Sequence, residues 1–198
     1  MNSPFKKKGI HAMAYRNGNY TAFYVAEPFN ENNLGAASTP DFVYYNLLRM
    51  WKGKESDFPF IDAHDKTYNV RDSSDWEKTL KPRLHQRLLN SKNIILFLSS
   101  ETKSSRALRE EIDYGINGLG LPVIVIYPDC SEVDEIADPQ QGIRTPIRNL
   151  WDKLPVFKNN MKKVATLHVP LNKVLIRTAL KDPDLMVTTM TMPDLYYY

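Results

Sequence analysis

Two short runs decide most of what this chain can fold into: Asn93–Ser99 (NIILFLS) and Leu121–Tyr127 (LPVIVIY). Each is apolar without interruption and rich in β-branched or aromatic residues. A strand with one wet face alternates apolar and polar residues. A run without that alternation needs cover on both faces, the condition of a parallel sheet between two helical layers. Three further runs, Tyr20–Ala26, Phe58–Asp62 and Lys163–Val169, complete a set of five expected strands.

Helical patterns fall between them. Thr39-Pro40-Asp41 reads as an N-cap, a proline at the first helical position and an acid in the first turn. Val43, Leu47 and Trp51 follow at four-residue spacing, with Tyr44 and Leu48 beside them. Ser74-Asp75-Trp76-Glu77 has the capping-box form, and Pro82 places the main start of a second helix near itself. Leu80, Leu84 and Leu88, widened by Leu89, are its stripe. A third helix is expected from about Ser104 to Gly118. A fourth includes Ile147, Leu150 and Trp151, and a fifth follows Pro170 with Val174, Leu175 and Ala179.

This alternation predicts an α/β fold, a flavodoxin-like doubly wound five-stranded parallel sheet of order 2-1-3-4-5. Ligands in that topology bind beyond the carboxyl ends of the strands, where the winding reverses. The loops after Ala26 and Ser99 should border the site, with the loop after Asp62 close by. The expected organisation is an N-terminal extension over 1–19, a domain over 20–181 and a C-terminal tail over 182–198. That tail is proline-broken and Met-rich and ends in three tyrosines. It could pack on the domain, pair with a neighbour or be disordered; packing is the expected fate, because a free tail with this many apolar residues would be sticky.

Composition narrows the function. A net charge of +3 is too small to imply a nucleic-acid partner, and Lys6-Lys7-Lys8 reads as a solvated stretch. The single cysteine, Cys130, leaves no internal disulfide and suits the cytoplasm. His11, His64, His85 and His168 show no ligand spacing, so no metal is expected. No apolar run reaches membrane-spanning length, and the polar, basic start lacks the core of a signal peptide. A cytoplasmic protein without a membrane partner is therefore expected. The G-x-G-x-x-G fingerprint is absent after the first strand; Gly115, Gly118 and Gly120 read as cap and turn glycines.

The third helix carries two adjacent glutamates. Leu108, Ile112, Ile116 and Leu119 mark its buried stripe. At about 100° per residue, Glu110 points nearly opposite that stripe and is expected in solvent. Glu111 falls on the rim, with Gly115 one turn on to leave room beside it. The alternative for Glu111 is a surface glutamate paired with a basic neighbour.

Several segments together resemble the TIR domain family, over roughly residues 20–180. Phe58–Asp62 with its polar loop resembles the second TIR strand and the loop after it. Asn90–Ser100 resembles the third strand with its serine ending, and Leu121–Asp129 the fourth. Ser105–Ile116 (SRALREEIDYGI) resembles the family's W-x-x-x-E helix, with Ala107 at the tryptophan position. The loops after the first and second strands are similar to those of the TIR-like proteins of bacterial Thoeris anti-phage systems.

In NAD-processing members the glutamate of this helix is catalytic, and the resemblance places that role on Glu111. It implies an NAD nucleosidase or ADP-ribosyl cyclase of antiviral defence, with NAD as substrate and no other cofactor. The products would be nicotinamide and a cyclic ADP-ribose isomer, a diffusible signal for a separate effector. Self-association through TIR contacts is also implied. Two alternatives stay open: a non-catalytic TIR interaction module, and a nucleoside ribosyltransferase-like enzyme, whose N-glycosidic chemistry also uses a glutamate.

The chemistry suits one carboxylate. Nicotinamide leaves NAD as a neutral base from a cationic centre, so its departure needs little proton donation. The ribosyl oxocarbenium ion left behind is stabilised by a nearby negative charge. Other candidates each have a plainer reading. Phe29 and Asn30 are placed to contact a base or to pack their loop. Asp62 would bind a ribose hydroxyl or order the loop after it. His64, with Asp65 and Tyr68, would close over the ligand or stand in solvent. Arg106 would meet a phosphate or be solvated at the helix start. Trp76 reads as core, His85 as structural, and Cys130, with no paired base in view, is not read as a nucleophile.

Overall fold

The computed structural model describes residues 22–26, 43–61, 75–189 and 192–198. In chain order the elements are β1 (Ala22–Ala26), α1 (Val43–Lys54), α2 (Lys81–Leu89), β2 (Ser91–Phe97), α3 (Arg106–Asp113) and β3 (Val123–Tyr127). There follow α4 (Val133–Ile136), the short pair β4 (Ala137–Asp138) and β5 (Gly142–Ile143), α5 (Thr145–Trp151), α6 (Pro155–Asn160), β6 (Ala165–Pro170), α7 (Lys173–Lys181) and β7 (Asp194–Tyr197). One five-stranded sheet runs β1-β2-β3-β6-β7, and every neighbouring pair in it is parallel.

The continuous apolar runs are covered on both faces, as their lack of alternation requires. Ile95, Phe97, Ile124, Ile126, Leu167 and Val169 pack with Leu48 of α1 and with Ile176, Ala179 and Leu180 of α7. Ile94, Leu96, Val123, Val125 and Tyr127 pack on the opposite face with α2, α3, α5 and α6, through Leu84, Leu88, Leu108, Ile112, Trp151 and Phe157. Successive strand residues thus serve opposite layers, the period of two that defines a strand. The doubly wound α/β class is the one expected.

One expected strand is absent among the described residues. Residues 58–61 carry no strand, and Asp62 lies outside the described residues. The Phe60 N–H folds back onto the Phe58 carbonyl at 2.9 Å, the Phe58 N–H bonds Glu55 O at 2.9 Å, and Lys52 Nζ takes the Phe58 carbonyl at 2.9 Å. Pro59 has no N–H to give a ladder. Phe58 and Phe60 are apolar because they are buried beneath α1 and α7, not because they pair. The fifth strand comes from the other end of the chain. β7 pairs with β6 through Ala165↔Asp194 to His168↔Tyr197 and covers an edge that would otherwise present unpaired backbone. Leu185 and Val187 are buried, and Val187 N–H bonds Lys92 O at 2.9 Å. Of the three fates open to the tail, its described part packs on the domain.

The helices match more closely than their faces do. On α1 the buried residue is Leu48, flanked by Tyr44 stacked on Phe97 (5.1 Å) and Trp51 edge-on to Phe58 (5.6 Å), while Val43 is exposed. Thr39-Pro40-Asp41 lies outside the described residues. Asp75 itself caps the next segment, accepting from Lys78 N–H at 2.8 Å, and a π-helical turn (Trp76–Leu80) leads into α2 with Pro82 in its first turn. On α7, Ile176 rather than Val174 is buried.

Gly115 does not leave room beside Glu111. It sits in the π-helical continuation of α3 (Tyr114–Gly118), and a Cβ there would stand 2.3 Å from Ile94 Cδ1 and 3.6 Å from Leu88 Cδ2. The missing side chain lets the helix lie close on β2. Gly120, at φ +64°, is the turn glycine expected after the helix. Gly115→Ala should therefore destabilise by about 1–3 kcal/mol through overpacking, outweighing the gain in helix propensity. Urea unfolding of the two proteins measures it.

Candidate functional site

The chain leaves β2 through a loop that is fully tied down. Ser99 N–H bonds Thr102 Oγ1 at 2.9 Å, Glu101 N–H bonds Ser99 Oγ at 3.2 Å, and Thr102 N–H returns to Ser99 O at 3.1 Å. Ser100 N–H reaches Asp129 Oδ2, beyond the end of β3, at 3.1 Å. Ser105 then caps α3 by accepting from Leu108 N–H at 3.0 Å. The helix therefore starts from a rigid base at the carboxyl ends of β2 and β3, and part of it comes close to β1.

Glu110 is not in solvent as expected. Its carboxylate lies 2.7 Å from His85 Nε2 and 3.4 Å from Lys81 Nζ, and its side chain is only 24% exposed. His85 also stacks on Tyr114, with ring centroids 3.6 Å apart and planes 8° from parallel. The helical wheel was read correctly for the sheet side of α3; the opposite flank is occupied because α2 lies against it. Glu111 is one step of about 100° further round. It is half-buried, with Ala107 and Leu108 buried one turn before it and Gly115 buried one turn after. That is the rim position expected from the stripe.

Arg106 is committed elsewhere. Its Nη2 donates to Glu77 Oε1 at 2.7 Å and its guanidinium lies 4.6 Å over the Trp76 ring. Trp76 packs half-buried on the core, in keeping with its expected role. Phe29, Asn30, Asp62 and His64, with Asp65 and Tyr68, lie outside the described residues. Of the candidate site residues, Glu111 and Arg106 are thus the two the structure places.

A buried polar network was not foreseen. Tyr127 OH accepts from Trp151 Nε1–H at 2.9 Å and shares a hydrogen bond with His168 Nδ1 at 2.7 Å. His168 Nε2 is buried with no hydrogen-bond partner among the described residues. Burial lowers the His168 pKa to about 3 and raises that of Tyr127. Period-two alternation along Ala165–Pro170 could have flagged it, since His168 shares a face with Thr166. Cys130 is half-buried, and burial, then Glu135 and Asp129, raise its thiol pKa, which disfavours a nucleophilic thiolate.

A cavity of about 220 Å³ lies between β5 and the start of α5, lined by Gln141 to Pro146 and Arg148, with no residue of α3. Among the described residues no group of three or more His, Cys, Asp or Glu is placed to hold a metal ion, and no helix is long and apolar enough to cross a membrane.

A parallel sheet wound on both faces, with a half-buried glutamate on the helix after the strand paired with β1, is the arrangement of a TIR-like or flavodoxin-like domain. The family described as Thoeris protein ThsB, TIR-like domain, matches residues 20–133, more than half of the chain, and this chain belongs to that family. The match takes in β1, β2, α3 with Glu111, and β3.

Proposed function

We propose that this chain cleaves the nicotinamide–ribose bond of NAD, with Glu111 as the catalytic carboxylate, and that the product is a cyclic ADP-ribose isomer acting on a separate effector in anti-phage defence. The observation that carries this reading is the position of Glu111: half-buried on the rim of α3, the helix that follows β2, within the span that matches the family. Membership of the Thoeris TIR-like family supports the antiviral setting.

In this reading Glu111 holds the ribose hydroxyls and stabilises the positive charge that develops at the anomeric carbon as nicotinamide leaves. A charge aimed at the oxocarbenium ion from a fixed helix costs no reorganisation during the reaction. One carboxylate suffices because the leaving group departs without a proton, unlike the two-carboxylate arrangement of ordinary glycosidases. Exclusion of water then decides between hydrolysis and capture by the substrate's own adenine or ribose hydroxyl.

The test is incubation with NAD, in the presence of desalted lysate from phage-infected cells to supply any trigger, followed by chromatography. Nicotinamide should appear with an ADP-ribose isomer in equal amount. Base exchange between nucleosides without nicotinamide release would instead mark a ribosyltransferase.

A further inference from the structure

We propose that His85 is a positioning residue for this site, setting the rotation of α3 about its own axis and so the placement of the Glu111 carboxylate. The inference rests on the reading of Glu111 as catalytic. Beside the buried leucines, four side chains tie the outer flank of α3 to α2: Lys81 and His85, one turn apart on α2, with Glu110 of α3 and Tyr114, one turn on in its π-helical continuation. His85 makes both main contacts, a 2.7 Å bond from Nε2 to Glu110 and a near-parallel stack on Tyr114 at 3.6 Å. Lys81 adds a 3.4 Å ion pair to the same carboxylate.

These contacts bracket Glu111 in the chain, at the residue before it and three residues after it. Gly115 against Ile94 sets how close the helix lies on the sheet. Leu108, Ile112 and Ile116 seat the buried side of the helix in the core, and the planar stack combined with a hydrogen bond one turn away fixes its outer flank against a small roll. A side-chain group lies roughly 5–6 Å from the helix axis, so a roll of about 10° moves it by about 1 Å. A misplacement of that size costs up to about a hundredfold in rate.

A histidine that only stabilised the fold would change the unfolding midpoint and leave turnover at low temperature intact. The experiment is steady-state NAD cleavage by the full chain and by His85→Ala, His85→Gln and Glu111→Gln, run with desalted phage-infected lysate well below each unfolding midpoint. His85→Ala is expected to lower kcat about tenfold with KM changed less than about twofold. His85→Gln, which can still donate to Glu110, should recover most of that loss. Full kcat in His85→Ala, with Glu111→Gln inactive, overturns the positioning role and leaves the catalytic reading standing. So does a loss that appears only in KM or only in the unfolding midpoint. Full activity in Glu111→Gln removes both.

Discussion

Glu111→Gln is expected to lower kcat for NAD cleavage by about a hundredfold to a thousandfold, the usual consequence of removing one preorganised electrostatic contact to a developing charge. The substitution keeps the shape and most hydrogen bonds of the side chain but removes the charge that opposes the oxocarbenium ion. KM should change little, because a neutral amide can still hold ribose hydroxyls in the ground state. Asp113→Asn is the matched control: an exposed carboxylate on the same helix, bonded to Asn117 Nδ2 at 2.7 Å, whose loss should leave turnover unchanged. Nicotinamide release followed by chromatography distinguishes the two. Equal activity in wild type and Glu111→Gln would remove the carboxylate from the mechanism, whatever the product.

The second large effect is acid lability driven by His168. The imidazole is fully buried against Tyr127 and Trp151, and burial lowers its pKa to about 3. The unfolded chain titrates near 6.5. Between those values the unfolded state binds a proton that the folded state refuses. The contribution of His168 to stability is therefore fully present above pH 6.5 and is lost as pH falls toward 3. The slope is about 1.4 kcal/mol per pH unit well inside that window, or roughly 2–3 kcal/mol by pH 4.5. Glu135 and Asp138, whose pKa values are lowered chiefly by backbone N–H bonds, add their own loss only at more acidic pH. Urea unfolding at half-unit intervals from pH 7 to 4.5 measures the slope. His168→Asn, which keeps an acceptor near the Tyr127 hydroxyl, should flatten it even if its overall stability is lower. An unchanged slope in that variant would assign the acid lability to other groups.

What was legible in the chain follows from how local each feature is. The runs around Ile94–Leu96 and Val123–Ile126 announce buried strands, because short β-branched stretches without alternation suit a strand covered on both faces. The rim position of Glu111 follows from helical periodicity alone, since Leu108, Ile112 and Ile116 set the phase. Phe58–Asp62 was misread because apolar character signals burial, and strand pairing is only one way to be buried; the turn that folds Phe60 N–H onto Phe58 O leaves no trace in composition. That the tail packs could be read from its apolar content, but its strand could not, for the opposite reason. Asp-Leu-Tyr-Tyr is a strand because β6 offers an open edge, and that edge exists only after the sheet is assembled.

The sequence by itself determined the layers, the winding and the face on which Glu111 lies, all of which depend on periods of two and 3.6 residues within single elements. Only the tertiary structure decided which strand closes the sheet, that Glu110 is clasped by α2, and that Gly115 serves close packing on Ile94. Those outcomes depend on which surfaces meet, and pairing between distant segments is set by the shape and polarity of both partners at once.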